Sequence, residues 1–182
     1  VNYQRRYTKR ILMSYFNRFP TILYDPAGVT NPVLVTNILK RVRLRTNMKR
    51  EIVLLDKYDV QENETPEIVS DKHHGSPYYH WVVLMTNGIT DPFHDWPKST
   101  RELQLYIAGK YGSNINSPHH YYVNQVSGDT TQRIEVNSNY PNAITVTNYE
   151  YEVDLNETKR SIDLLRNEYL SAFLEEFDRL IV

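Results

Sequence analysis

Apolar and polar positions change period several times along this chain, and those changes mark out its elements. Tyr58-Asp59-Val60-Gln61 alternates and reads as a strand. After an acidic turn, Thr65-Pro66-Glu67-Ile68 and Ser76-Pro77-Tyr78-Tyr79 each set a hydroxyl residue before a proline. The hydroxyl suits an N-cap, and proline suits the first helical position, where its missing N–H costs nothing. Gly75 and Asn87-Gly88 provide left-handed stops. Tyr78 to Met85 is apolar on nearly every side, the pattern of a buried helix. Ser99-Thr100-Arg101-Glu102 is a capping box that opens a helix with Leu103, Tyr106, Ile107 and Tyr111 on one stripe, ending at Gly112. Tyr121-Tyr122-Val123, Arg133-Ile134-Glu135-Val136 and Ile144-Thr145-Val146-Thr147 are short strand-like runs. Ser127-Gly128-Asp129 and Asn139-Tyr140-Pro141-Asn142 part them as turns, predicting a hairpin-rich sheet. A last strand-like run, Ser161 to Leu165, feeds a helix with Tyr169, Leu170, Phe173, Leu174, Phe177, Leu180 and Ile181 at helical spacing. That wide apolar face must be covered, by this chain or by another.

The first quarter is patterned differently. Asn2 to Arg18 spaces Tyr7, Ile11 and Tyr15 along one helical face, and Pro20 stops it. Asp25-Pro26-Ala27-Gly28 through Asn31-Pro32 is rich in turn residues, and Val42-Arg43-Leu44-Arg45 alternates like a strand with one wet, basic face. Residues 46–55 are compatible with helix and with extended chain. Charge is concentrated here: residues 1–50 hold eleven of the 21 basic residues and only one acid, Asp25, a net +10. The remainder holds ten basic and 21 acidic residues, a net −11. Such an arm can contact nucleic acid, acidic protein neighbours or only water. Its basic residues are interleaved with Tyr15, Phe16, Phe19, Ile22, Leu23 and Tyr24, which favours docking on protein. The chain carries no zinc finger, glycine-rich phosphate loop or aromatic RNA-binding signature.

At 182 residues the chain is long enough to bury roughly 70% of its unfolded surface, as one domain with appendages or two small domains. The absence of cysteine excludes disulfides and thiolate metal sites and fits folding in a reducing compartment. The longest apolar run, Trp81 to Met85, is too short to span a bilayer. Ile11-Leu12-Met13 is interrupted at once by Ser14, Asn17 and Arg18, so no secretory signal is expected. Fifteen tyrosines in a chain of mean hydropathy −0.58 suit a surface that is both wettable and adhesive, besides filling a thin core. The six histidines, His73-His74, His80, His94 and His119-His120, lack the two-ligands-plus-base spacing of a zinc hydrolase. Glu62 and Glu64 read as a solvated turn rather than a catalytic pair. With no nucleophile elbow or triad, the expectation is a non-enzyme with no catalytic, cofactor-binding or metal residue.

The central motifs carry a resemblance. Tyr58-Asp59-Val60-Gln61-Glu62-Asn63-Glu64-Thr65-Pro66-Glu67-Ile68-Val69 is similar to the opening of a LysM module, Tyr-x-Val-x-x-Gly-Asp-Thr-Leu-x-x-Ile-Ala. A closer match includes the continuation Tyr79-x-Trp81-Val82-Val83-Leu84-Met85-x-Asn87 and Asp91-Pro92-Phe93-x-x-Trp96. Over residues 58–112 the chain resembles the baseplate wedge protein 53 family of contractile-tailed bacteriophages, built around a LysM-like middle domain. The resemblance implies an α+β fold in three parts: a basic N-terminal arm (1–57), a LysM-like β-α-α centre (58–112), and a C-terminal β-hairpin region with a terminal strand and amphipathic helix (113–182). It implies a non-catalytic virion protein of the tail baseplate, assembled in the host cytoplasm, that joins neighbouring wedges around the hub. The implied partners are other wedge proteins, the sheath initiator and hub-proximal proteins, in a hetero-oligomer without membrane or nucleic acid. The candidate interface is Phe19, Tyr24, Arg41, Arg43 and Arg45 on the arm and Tyr169, Phe173 and Phe177 on the terminal helix. A peptidoglycan-binding LysM module is the alternative, although Asn63-Glu64 replaces Gly-Asp and the second helix opens on a bulky Tyr-Tyr-His-Trp. A nucleic-acid-contacting arm is third.

Overall fold

The computed structural model describes residues 15–25, 28, 32–42, 54–124 and 133–181. A 3-10 turn at Tyr15–Arg18 leads into β1 (Thr21–Tyr24), β2 (Val33–Thr36) and β3 (Leu55–Asp59). Helices α1 (Pro66–His74), α2 (His80–Asn87), α3 (Pro92–Asp95) and α4 (Thr100–Tyr111) follow. Then come β4 (Pro118–Asn124), β5 (Arg133–Val136), β6 (Ile144–Thr147), α5 (Asn148–Thr158), β7 (Ser161–Leu165) and α6 (Asn167–Ile181). The fold is α+β, as expected. Most of the arm helix predicted at Asn2 to Arg18, the Arg43-Leu44-Arg45 strand, residues 46–53 and the Ser127-Gly128-Asp129 turn lie outside the described residues.

The chain gathers into two compact units, one from residues 1–58, 64–92 and 162–182 and the other from 59–63 and 93–161. In the first, β3 pairs with β7, so the partner of the strand before α1 comes from about a hundred residues downstream. Thr65 accepts a hydrogen bond from the Ile68 N–H at 3.4 Å, Pro66 takes the first helical position, and Gly75 closes α1 at φ 71°. Ser76 caps a short 3-10 turn, Pro77–Tyr79, that runs into α2, which Gly88 ends, also at φ 71°. Trp81, Val82 and Val83 are buried. The core joins Trp81 and Val82 to Phe19, Leu165, Leu174, Phe177 and Ile181, so much of the terminal helix's apolar face is covered by this chain itself. Leu180 stays exposed.

Side chains close the edge of β7. The Asn87 amide donates to the Asp163 carbonyl at 2.8 Å and accepts from the Asp163 N–H at 2.8 Å. His73 Nε2–H donates to the Leu165 carbonyl at 2.9 Å. Residues 163 and 165 turn their backbone groups to one side of the strand, and helical side chains there replace a ladder partner.

In the second unit, β4 lies between β5 and β6, antiparallel to both, with Tyr121 opposite Val136 and Thr145. Ser99 and Glu102 form the predicted capping box on α4. A second box, Thr147 with Glu150, turns β6 directly into α5, a helix that the reading of strands alone does not contain. α4 packs on α5, and Glu152 is buried between them in reach of Lys110 Nζ (2.6 Å) and the Tyr111 hydroxyl (2.8 Å). Asn156 ties the same helix to Lys98, accepting from its N–H at 2.8 Å and donating to its carbonyl at 3.0 Å.

Candidate assembly interface

The arm enters the first unit through its aromatic residues. Tyr15 lies 5.3 Å from Trp81, 4.8 Å from Phe19 and 5.9 Å from Phe177, ring centre to ring centre, and Trp81 lies 4.7 Å from Phe177 and 6.0 Å from Phe173. Tilted and edge-on contacts of this kind add to the area they bury. Arg18 fastens the rim: its guanidinium meets both carboxylate oxygens of Asp178 at 2.6 Å and lies 5.7 Å from the centre of the Trp81 ring.

Of the eight candidate interface residues, Phe19 and Phe177 are buried in this core, with Phe173 and Tyr169 partly buried against it. Tyr24 and Arg41 are exposed. Arg43 and Arg45 lie outside the described residues. The structure thus joins the arm and the terminal helix, which share no sequence signal that pairs them.

Beyond Phe19 the chain turns outward as the β1–β2 hairpin, antiparallel with Ile22 opposite Val35, Leu23 opposite Leu34 and Tyr24 opposite Val33. Apolar residues occupy both of its faces. Leu23 is 71% exposed and Leu34 63% on one; Tyr24 and Val33 are each 54% exposed on the other. Ile38 and Leu39 extend the surface, and Lys40 and Arg41 stand exposed beside it. A lone two-stranded hairpin is marginal in water, and an apolar patch on it marks an interaction site. Its strands went unseen in the sequence at Thr21–Tyr24, where the run of Thr, Ile, Leu and Tyr before a turn is the signal that could have found them.

The carboxylates of the acidic turn serve the fold. Asn63 takes the left-handed conformation (φ 63°) that the resembling pattern assigns to glycine. Glu64, read from sequence as solvated, is buried, accepting from the Tyr58 hydroxyl at 2.9 and 2.8 Å and from Lys72 Nζ at 2.5 Å. Burial, and then the hydrogen bond and negative charge of Glu64, push the Tyr58 phenol up to about 12. Glu62 accepts from the Thr100 N–H at 2.6 Å and pairs with Arg160 at 3.1 Å, which holds its carboxyl below the usual range despite some desolvation.

The histidines are likewise engaged. His74 Nδ1–H donates to Asn167 at 2.8 Å, the Asn167 amide donates to the His73 carbonyl at 2.6 Å, and the His80 ring donates to the Pro77 carbonyl at 3.0 Å. The His119 ring stacks on Tyr151 at 3.8 Å between ring centres, and its Nδ1 lies 2.9 Å from the His120 Nδ1. Among the described residues no group of three or more His, Asp or Glu side chains is arranged to hold a metal ion, and no helix is long and apolar enough to cross a membrane.

A closed core bearing an exposed apolar hairpin, with Lys40 and Arg41 exposed just after it, is the form of a protein that assembles with others. The family model for base plate wedge protein 53 matches residues 12–143, and the chain belongs to that family. It is also 23% identical over 141 residues to the baseplate wedge protein gp53 of Enterobacteria phage T4, covering 68% of this chain and 72% of that protein. Members of this family are structural proteins of the virion's tail baseplate, and their assembly involves other baseplate proteins.

Proposed function

We propose that this chain is a non-catalytic fastener that joins neighbouring baseplate wedges around the hub. Its core is a LysM-like bead formed by β3, α1, α2 and β7. The basic arm is one grip and the terminal strand and helix the other, with Tyr24, Arg41, Arg43 and Arg45 and the outer parts of Tyr169 and Phe173 meeting the partners. Those partners are other wedge proteins, with the sheath initiator and hub-proximal proteins foremost. The observation that carries this reading is the pairing of family membership with a two-faced apolar hairpin beside exposed basic residues, a surface that no described part of the chain covers. Mixing the purified chain with the wedge proteins of its own phage, and following size-exclusion chromatography by light scattering, tests it. Co-elution as a defined larger complex supports the role. A persistent monomer that is instead retained on insoluble peptidoglycan overturns it in favour of a glycan-binding module.

A further inference from the structure

The hairpin has a backbone edge as well as apolar faces. The Asn37 N–H donates to the Pro20 carbonyl at 2.8 Å, which with the register makes 20/37, 22/35 and 24/33 the hydrogen-bonded pairs. Thr21 and Leu23 therefore point their N–H and C=O groups away from β2. Among the described residues neither meets a partner there. The edge of β2 is interrupted, because the Ile38 N–H folds back on the Thr36 carbonyl at 3.0 Å. Elsewhere the same protein seals a strand edge with the side chains of Asn87 and His73. Edges left unpaired invite another strand, and proteins usually blunt them.

We infer that the outer edge of β1 is a strand-docking site. Its occupant is an extended segment of a neighbouring baseplate protein, apolar at alternate positions and net acidic, which adds a third strand to the hairpin. Main-chain bonds to Thr21 and Leu23 supply geometry, and Leu23, with Leu34 across the strand, supplies an apolar strip for every second side chain. The sign of the partner's charge follows from the exposed basic residues Lys40 and Arg41 just after β2, in a first quarter that by sequence carries a net +10 with one acid, Asp25. This inference rests on the baseplate reading and specifies how one of its grips closes.

Hydrogen–deuterium exchange on the full chain tests it, free and in complex with the purified wedge proteins of its own phage. The expected result is fast exchange at Thr21 and Leu23 in the free chain and strong protection in the complex. Leu23→Pro, which removes an outward N–H together with the leucine side chain but no bond to β2, and Leu23→Glu, which keeps the backbone but sets an acidic side chain against an acidic partner, should each weaken the complex at least about tenfold. Thermal melting of the Trp81 core should be unchanged in both, and binding should weaken as salt is raised. A complex that forms while these amides stay fast overturns strand docking and leaves the baseplate reading intact. Failure to form any complex overturns both. Slow exchange in the free monomer would show the chain covering its own edge, and slow exchange in a self-associated dimer would replace the acidic partner with a second copy; either overturns the inference.

Discussion

Single residues hold this molecule together chiefly by filling space around Trp81. Phe177 is buried against Tyr15, Phe19 and Trp81, so Phe177→Ala leaves a cavity walled by rings that cannot all collapse inward. The expected loss is about 3–5 kcal/mol, read as a lower midpoint in urea unfolding. His74 makes a different prediction. Burial holds its pKa below the ordinary 6.5, a nearby His73 charge adds to this, and the bond to Asn167 opposes it. The unfolded chain therefore takes up the proton first, and the stability that neutral His74 contributes is present above about pH 6.5 and lost as pH falls through its lower folded value. The melting temperature should drop on acidification from about pH 7.5 to 5.5, and His74→Gln, which keeps a donor for Asn167, should drop less over that range. Equal slopes would show that other groups set the acid limit.

At the scale of elements, boundaries are governed by local chemistry. The stops at Gly75 and Gly88 and the caps at Thr65, Ser76 and Ser99 all fall where hydroxyl, proline and glycine place them. Thr147-Asn148-Tyr149-Glu150 carries the same signature as Ser99 to Glu102, yet α5 is hard to see from apolar periodicity because polar Asn148, Glu152 and Asn156 occupy its buried face. Those positions are tolerable inside only because Lys110, Tyr111, the Lys98 backbone and the Asn114 carbonyl satisfy them. Thr147→Ala should cost about 1 kcal/mol in urea unfolding by orphaning backbone donors at the start of α5. A change in the denaturant slope rather than the midpoint would contradict a purely local effect.

At the scale of the whole molecule, the apolar side chains Leu23 and Leu34 and the basic Lys40 and Arg41 are exposed, while Phe19, Trp81 and Phe177 are buried. Reversing the arm with Arg41→Glu, Arg43→Glu and Arg45→Glu together should weaken co-assembly with wedge proteins, most visibly at low salt, and leave the melting temperature within about a degree of wild type. Unchanged assembly by a folded variant would remove the arm from the interface.

Taken alone, the sequence determined what depends on near neighbours: where most helices start and stop, the α+β class, the buried α2 and the lopsided charge of residues 1–50. The motifs from Tyr58 to Trp96 were sufficient to point to the family that the match over residues 12–143 shows. Only the tertiary structure decided that β7 pairs with β3, that Phe19 meets Phe177, and that Glu64 turns inward to Tyr58 and Lys72. Strand partners and aromatic contacts distant in sequence are chosen by the free energy of closing long loops against the surface they bury, a balance that no local pattern encodes. The hairpin belongs to both levels. Its apolar run is written in the chain, but that Leu23 and Leu34 face water while Phe19 does not is settled by the few side chains that the core around Trp81 has room to enclose.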